Sequence, residues 1–204
     1  MYSHDSHDDH SVHNNITSER LSAFTDGVMA IIITIAVLEL KTPLNGDIHS
    51  LIPLIPIFIT YAISFQTIGT YWNNHHHLLR VTDHISTGIM WSNLNLLFWL
   101  SLIPFATGWL GENHGGTIPT VFYSLILLLC AISYTIFQDQ VVRHSSNRQE
   151  FKKELNKSHK GIISLACYVL AVCFGFYNPI ISDVLIIFVA IMWFIPDKRI
   201  EKYL

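Results

Sequence analysis

From Gly27 to Leu38 the chain carries no ionisable side chain, and apolar runs recur along the rest of its length with only short polar breaks. Such runs decide the fold class, because a helix of about 20 mostly apolar residues crosses a hydrocarbon core and satisfies its own backbone while doing so. The pattern predicts helices over Glu19 to Leu40, Ser50 to Asn73, Ile85 to Leu110, Ile118 to Val142, Gly161 to Phe176 and Pro179 to Ile195. The last two sit near the length limit, so a re-entrant hairpin over 161–195 is the alternative there. Only 13% of the residues are charged, against about 25% in an ordinary soluble domain, too few to coat a globule of this size. The expected fold is therefore all-α, a polytopic membrane protein with six transmembrane helices over 19–196. A flexible His/Asp-rich tail precedes them over 1–18, and a short tail follows over 197–204.

The prolines support this division, since Pro43, Pro53, Pro56, Pro104, Pro119, Pro179 and Pro196 all fall near predicted helix ends, where a missing N–H costs least. Asn178-Pro179 reads as the tight turn between the last two spans. With both termini inside, the inner segments hold Arg20, Arg80, the cluster Arg143, Arg148, Lys152, Lys153, Lys157 and Lys160, and finally Lys198, Arg199 and Lys202. Lys41 alone is left outside. That asymmetry follows the positive-inside rule and predicts a multi-pass protein of the cell (inner) membrane with cytoplasmic N- and C-termini. The polar segment Arg143 to Lys160 reads as a solvated orientation signal near lipid headgroups.

Other classes find no support. The net charge of −3, without a basic stripe, excludes nucleic acid as a partner. Cys130, Cys167 and Cys173 lie in apolar runs with neither a CxxC pair nor a secreted disulfide spacing. No basic n-region precedes the first apolar run, so that span is expected to stay in the mature protein. No nucleophile elbow, phosphate loop or paired carboxylates mark an enzyme, and no cofactor is implied.

Ionisable groups inside a span are expensive, so Arg20 and Asp26 of the first helix stand out. At 100° per residue they point about 120° away from each other, which rules out pairing within the helix. Asp26 needs a partner on another helix, and the polar end of span two, Trp72-Asn73-Asn74-His75-His76-His77, lies at the same depth. A buried network of Asp26 with Trp72, His75 or His76 is expected to seat the first helix. The same geometry puts Ile31, Ile35 and Leu38 on one face with Thr34 at its edge, while Asp26 lies about 140° away. On periodicity alone that face is an ordinary lipid-facing or packing surface.

Arg20-Leu21-Ser22-Ala23-Phe24-Thr25-Asp26 resembles the RxxxFSD signature of the transmembrane protein 175 family of potassium channels, with Thr25 in place of the usual Ser. Tyr71-Trp72-Asn73-Asn74-His75-His76-His77-Leu78-Leu79 is similar to that family's YWxNHHRLF-like segment, with His77 and Leu79 departing from Arg and Phe. The resemblance runs through all six predicted helices and fits the prokaryotic, single-repeat members. It implies a homotetramer around a central pore lined by the first helix, without a P-loop filter. It assigns a hydrophobic constriction to Ile31, with Ile35 and Leu38 beyond it, and a potassium-preferring hydroxyl to Thr34. Arg20, Phe24, Thr25, Asp26, Trp72, Asn74, His75 and His76 become a structural signature network. The implied function is a leak-type potassium channel gated by dewetting, with potassium as the permeant ion and membrane lipids as surroundings. A small secondary transporter or proton-coupled carrier, using Asp26 and the membrane histidines, is the alternative.

Three further signals carry less. Thr67-Ile68-Gly69-Thr70-Tyr71 is similar to a potassium-filter loop, yet it lacks the second glycine and continues an apolar helix. His4, His7, His10 and His13 among Asp5, Asp8 and Asp9 have metal-binding chemistry, but a polar tail explains them as well. His75, His76 and His77 point about 100° apart on a helix and cannot converge on one metal, so no metal site is expected.

Overall fold

The computed structural model describes residues 17–43, 45–80, 82, 84–145, 149 and 159–194. The histidine-rich tail up to residue 16, most of the 143–160 connection and everything after Phe194, including the predicted helix end at Ile195, lie outside the described residues. Those described are all-helical.

Helix α1 (Ser18–Ala36) starts at an N-cap, Thr17, whose hydroxyl accepts the Arg20 N–H at 3.3 Å. Ser18 Oγ donates to the Leu79 carbonyl at 3.1 Å, satisfying one of the orphan acceptors at the end of α2. The start of α1 is thereby fastened to the end of its antiparallel neighbour. The helix stops at Ala36 rather than running to Leu40, and closes in a tighter 3₁₀ turn, Val37–Glu39.

A 3₁₀ segment (Ile48–Leu54) leads into α2 (Ile55–Leu79), with Pro56 in its first turn, where no N–H is needed. The helix runs past the expected end at Asn73, since no Gly or Pro lies between there and Leu79 and His75 meets Asn93 of a neighbouring helix. Thr67 to Tyr71 lie in its unbroken middle.

The third predicted span is broken in two, α3 (Thr87–Ser101) and α4 (Ile103–Glu112). Pro104 has no N–H for the Leu100 carbonyl and its ring crowds that group. The Leu102 N–H turns instead to Trp99 O at 3.2 Å, and a new helix begins with Pro104 in its first turn. Helix α5 (Thr117–Arg143) extends one residue beyond each predicted end. Helices α6 (Lys160–Gly175) and α7 (Pro179–Phe194) are joined by a short turn in which Asn178 Oδ1 caps α7 through the Ile180 N–H at 3.0 Å.

Among the described residues, four helical segments are long and apolar enough to cross a membrane: Ser18–Glu39, Ile48–Leu79, Thr87–Glu112 and Thr117–Arg143. Lys160–Gly175 and Pro179–Phe194 are apolar but shorter. Leu96, Leu100, Ile103 and Tyr123, all nearly inaccessible, lie in the core between them.

Hydroxyl chains staple this core, and their direction follows from the geometry. Thr107 Oγ1 donates to Ile103 O at 2.7 Å, so it can only accept from Ser64 Oγ, also at 2.7 Å. Ser64 has then spent its proton, and Tyr123 OH donates to it at 2.8 Å. One ordered chain thus joins α5, α2 and α4. Where α2 crosses α4, the backbones touch: a Cβ on Gly111 would lie 2.8 Å from Ile57 Cα, on backbone that cannot swing away. Gly111→Ala is therefore expected to destabilise the fold by about 1–3 kcal/mol, read as a lower unfolding temperature in detergent.

Candidate functional site

Helix α1 has two unlike faces. Leu21, Thr25, Met29, Ile32 and Ala36 recur at helical spacing and are buried within the protomer. Ile31, Ile35 and Leu38 lie on the other side and are 58%, 45% and 75% exposed, with Thr34 exposed among them. One correction concerns Leu38. It belongs to the 3₁₀ turn rather than to α1, so the 100° arithmetic ends at Ala36 and about 120° per residue applies beyond it. Thr34 Oγ1 donates its proton to Ile31 O at 2.9 Å, which leaves the oxygen with lone pairs only. Phe24 is also exposed on this side.

Two polar contacts hold the N-terminal half of the helix, one at Asp26 and one on its buried face at Thr25. The network expected to be buried around Asp26 is instead exposed, because Trp72 reaches the carboxylate from the surface of α2. In the first, Trp72 Nε1 on α2 donates to Asp26 Oδ1 at 2.8 Å, and Ser22 Oγ approaches Oδ2 at 3.4 Å. The ring of His76 stacks on Trp72 with centroids 6.3 Å apart. In the second, Asn93 on α3 donates through Nδ2 to Thr25 Oγ1 at 2.9 Å and faces His75 Nε2 through Oδ1 at 2.8 Å. An amide oxygen only accepts, so His75 carries its proton on Nε2. All three side chains are inaccessible, and the His75 ring lies flat on Phe137 at 4.7 Å.

The signature positions thus divide between two contacts. Asp26, Trp72 and His76 form one, while Thr25 and His75 form the other. Asn74 is half-buried on α2. Arg20 is exposed in the first turn of α1 and makes no ion pair among the described residues. Asn93, which joins Thr25 to His75, was not among the expected site residues. Its signal in the sequence is an amide set inside an apolar run.

Beyond the C-terminal end of α1, the Lys41 ammonium pairs with the Glu112 carboxylate at the last residue of α4. The Glu112 hydrogen bond and charge raise the Lys41 pKa above its usual 10.5; desolvation opposes them and the charge of Glu39 adds a smaller push upward. The sign is that of a base gaining a partner, so whatever the pair contributes persists below pH 10.5 and is lost as pH rises through the raised value.

Apolar helices of spanning length, with their buried polar groups paired between helices, define a multi-pass integral membrane protein. Comparison with known proteins sharpens the class. The family profile described as "Endosomal/lysosomal potassium channel TMEM175" matches residues 20–104. A potassium channel of Chryseobacterium sp. (strain P1-3) is 45% identical over 189 residues, covering 93% of this chain and 98% of that one. One from Streptomyces collinus is 31% identical over 57% of this chain and 61% of its own length. The crystal structure of a lysosomal potassium-selective channel TMEM175 homolog from Chamaesiphon minutus is similar with a TM-score of 0.75 at 26% identity, over 86% of this chain and 95% of that one. The chain belongs to the TMEM175 family, a family of ion channels and not of enzymes.

Asn93→Ala would strand the His75 N–H in a site that water does not reach and remove the hydrogen bond that ties Thr25 to α3. The expected cost is about 2–3 kcal/mol, measured as loss of unfolding temperature with a matching loss of folded yield.

Proposed function

We propose that the chain is one subunit of a homotetrameric, potassium-selective leak channel of the bacterial inner membrane, with six membrane crossings and both termini in the cytoplasm. The observation that carries this reading is the uncharged column Ile31, Thr34, Ile35 and Leu38, left exposed on the protomer opposite the face by which α1 is held. Relatives named as potassium channels support the ion, and the lopsided distribution of Lys and Arg supports the orientation. Helices α6 and α7 complete the six crossings. At 16 residues each they reach about 24 Å, a shortfall that bilayer thinning absorbs.

Four α1 helices around an axis bring rings of Ile31 together, and an aliphatic ring resists wetting until it widens. One turn outward, four Thr34 oxygens face the axis. Their protons are already committed to Ile31 carbonyls, so each offers lone pairs to a partly dehydrated cation. The carrier alternative has less support. Asp26 is held by Trp72, and His75 is fixed between Asn93 and Phe137, which suits a scaffold rather than a proton relay.

Purified protein in liposomes with a potassium gradient and sodium as competitor tests this directly. Steady flux reversing near the potassium potential supports the channel. Saturating flux that follows a proton gradient supports the carrier, and no flux at all rejects both. Ile31→Asn is expected to wet the constriction and raise potassium flux roughly several-fold; unchanged flux removes Ile31 from the gate. Thr34→Val keeps the shape and deletes the oxygen, and should lower the potassium-to-sodium flux ratio by about fivefold, the equivalent of one lost polar contact.

A further inference from the structure

Beyond Ala36 the pore-side helix runs out of its own hydrogen bonds. Leu40 turns to an extended conformation (φ −80°, ψ 91°), and its N–H reaches back only to Val37 O at 3.1 Å. The position of Leu38 thus depends on what holds the segment that follows it. The turn Val37–Glu39 packs against both α2 and α4, and two side-chain contacts fasten the segment to α4. The Glu39 carboxyl lies against Gly108, filling the place a Cβ would take, and Lys41 pairs with Glu112 one turn further along. The second contact is notable because Lys41 is the lone cation that the sequence assigns to the outer side. Of the ion pairs among the described residues, Arg143–Asp139 lies within α5, whereas Lys41–Glu112 joins two different elements.

We propose that Glu39, Lys41 and Glu112 are positioning residues for the pore: they hold the outer end of α1 back against α4 and so keep the ring of Leu38 wide. This rests on the reading that α1 lines the pore. The direction follows from the two faces of the helix. Helix α4 packs behind α1 on its protomer side, while Leu38 is exposed on the other. A strap anchored on α4 therefore pulls away from the axis, and without it the 3₁₀ turn relaxes inward.

The strap is open to test because it is peripheral. The Lys41 and Glu112 side chains are 73% and 45% exposed, so their neutralisation leaves the core intact. A methyl group at Gly108 meets the far end of a flexible side chain, which moves aside at little cost. The experiment measures potassium flux into proteoliposomes for Lys41→Gln, Glu112→Gln, the double variant, Lys41→Arg and Gly108→Ala. Unfolding temperature and oligomer size are followed in parallel. Each neutralising variant and Gly108→Ala should lower flux about two- to fivefold at unchanged unfolding temperature and oligomer size. The double variant should be no worse than either single one, and Lys41→Arg should keep wild-type flux. Wild-type flux in both single neutralisations overturns the strap, as do additive losses in the double variant or losses that track unfolding. A wild-type protein that passes no potassium overturns the pore reading itself, and the strap falls with it.

Discussion

The azimuth of α1 is the constraint on which the rest depends, and a single buried chain of side chains sets it. Asn93 has one amide end on Thr25 and the other on His75, in a place where neither finds water. Rotating α1 by one residue would carry Thr25 away and leave the Asn93 amide donor without its partner, at a cost comparable to a lost hydrogen bond in an apolar medium. Trp72 and Asp26 hold the adjacent side of the helix in the same sense. Given that azimuth, the side bearing Ile31 and Thr34 has one direction left to face.

The same logic orders the interior. Helix association in lipid gains little from burying apolar surface, so paired polar groups and close backbone approach decide which helices touch. Tyr123, Ser64 and Thr107 give one such seam, and Gly111 against Ile57 gives a second made of backbone alone. A third joins α5 to α7, where Ser124 has donated to Thr120 O at 2.7 Å and so receives the Ser182 proton at 2.8 Å. These hydroxyls sit at different depths and need no charge. Their protons each have one permitted direction, which makes the seams specific without ionic cost.

Much of this was legible in the residues. Apolar run lengths locate most helices, and the 120° separation of Arg20 and Asp26 speaks against an intrahelical pair. Sequence reasoning failed where local chemistry was overruled by a neighbour. Pro104 looked like a helix end near a single long span, but in the interior its missing N–H splits that span into α3 and α4. Leu38 was placed by α-helical arithmetic although α1 had already tightened into 3₁₀ geometry. Asn93 is not ionisable, so the cost of burying a charge does not single it out. A buried primary amide also demands partners, and an Asn between serine and leucine in an apolar run carries that demand in plain view.

The break at Leu102 divides the labour of holding α1. The N-terminal half of the helix is tied to α3 through Asn93, and the segment that follows its C-terminal end is tied to α4 through Gly108 and Glu112. The two mooring posts are therefore the two halves of one interrupted helix, separated by a joint at which the regular ladder of backbone bonds lapses. Helix α1 spans that joint as a string spans a bow. The two ends of α1 are therefore held by separate pieces of the chain, one on either side of the break.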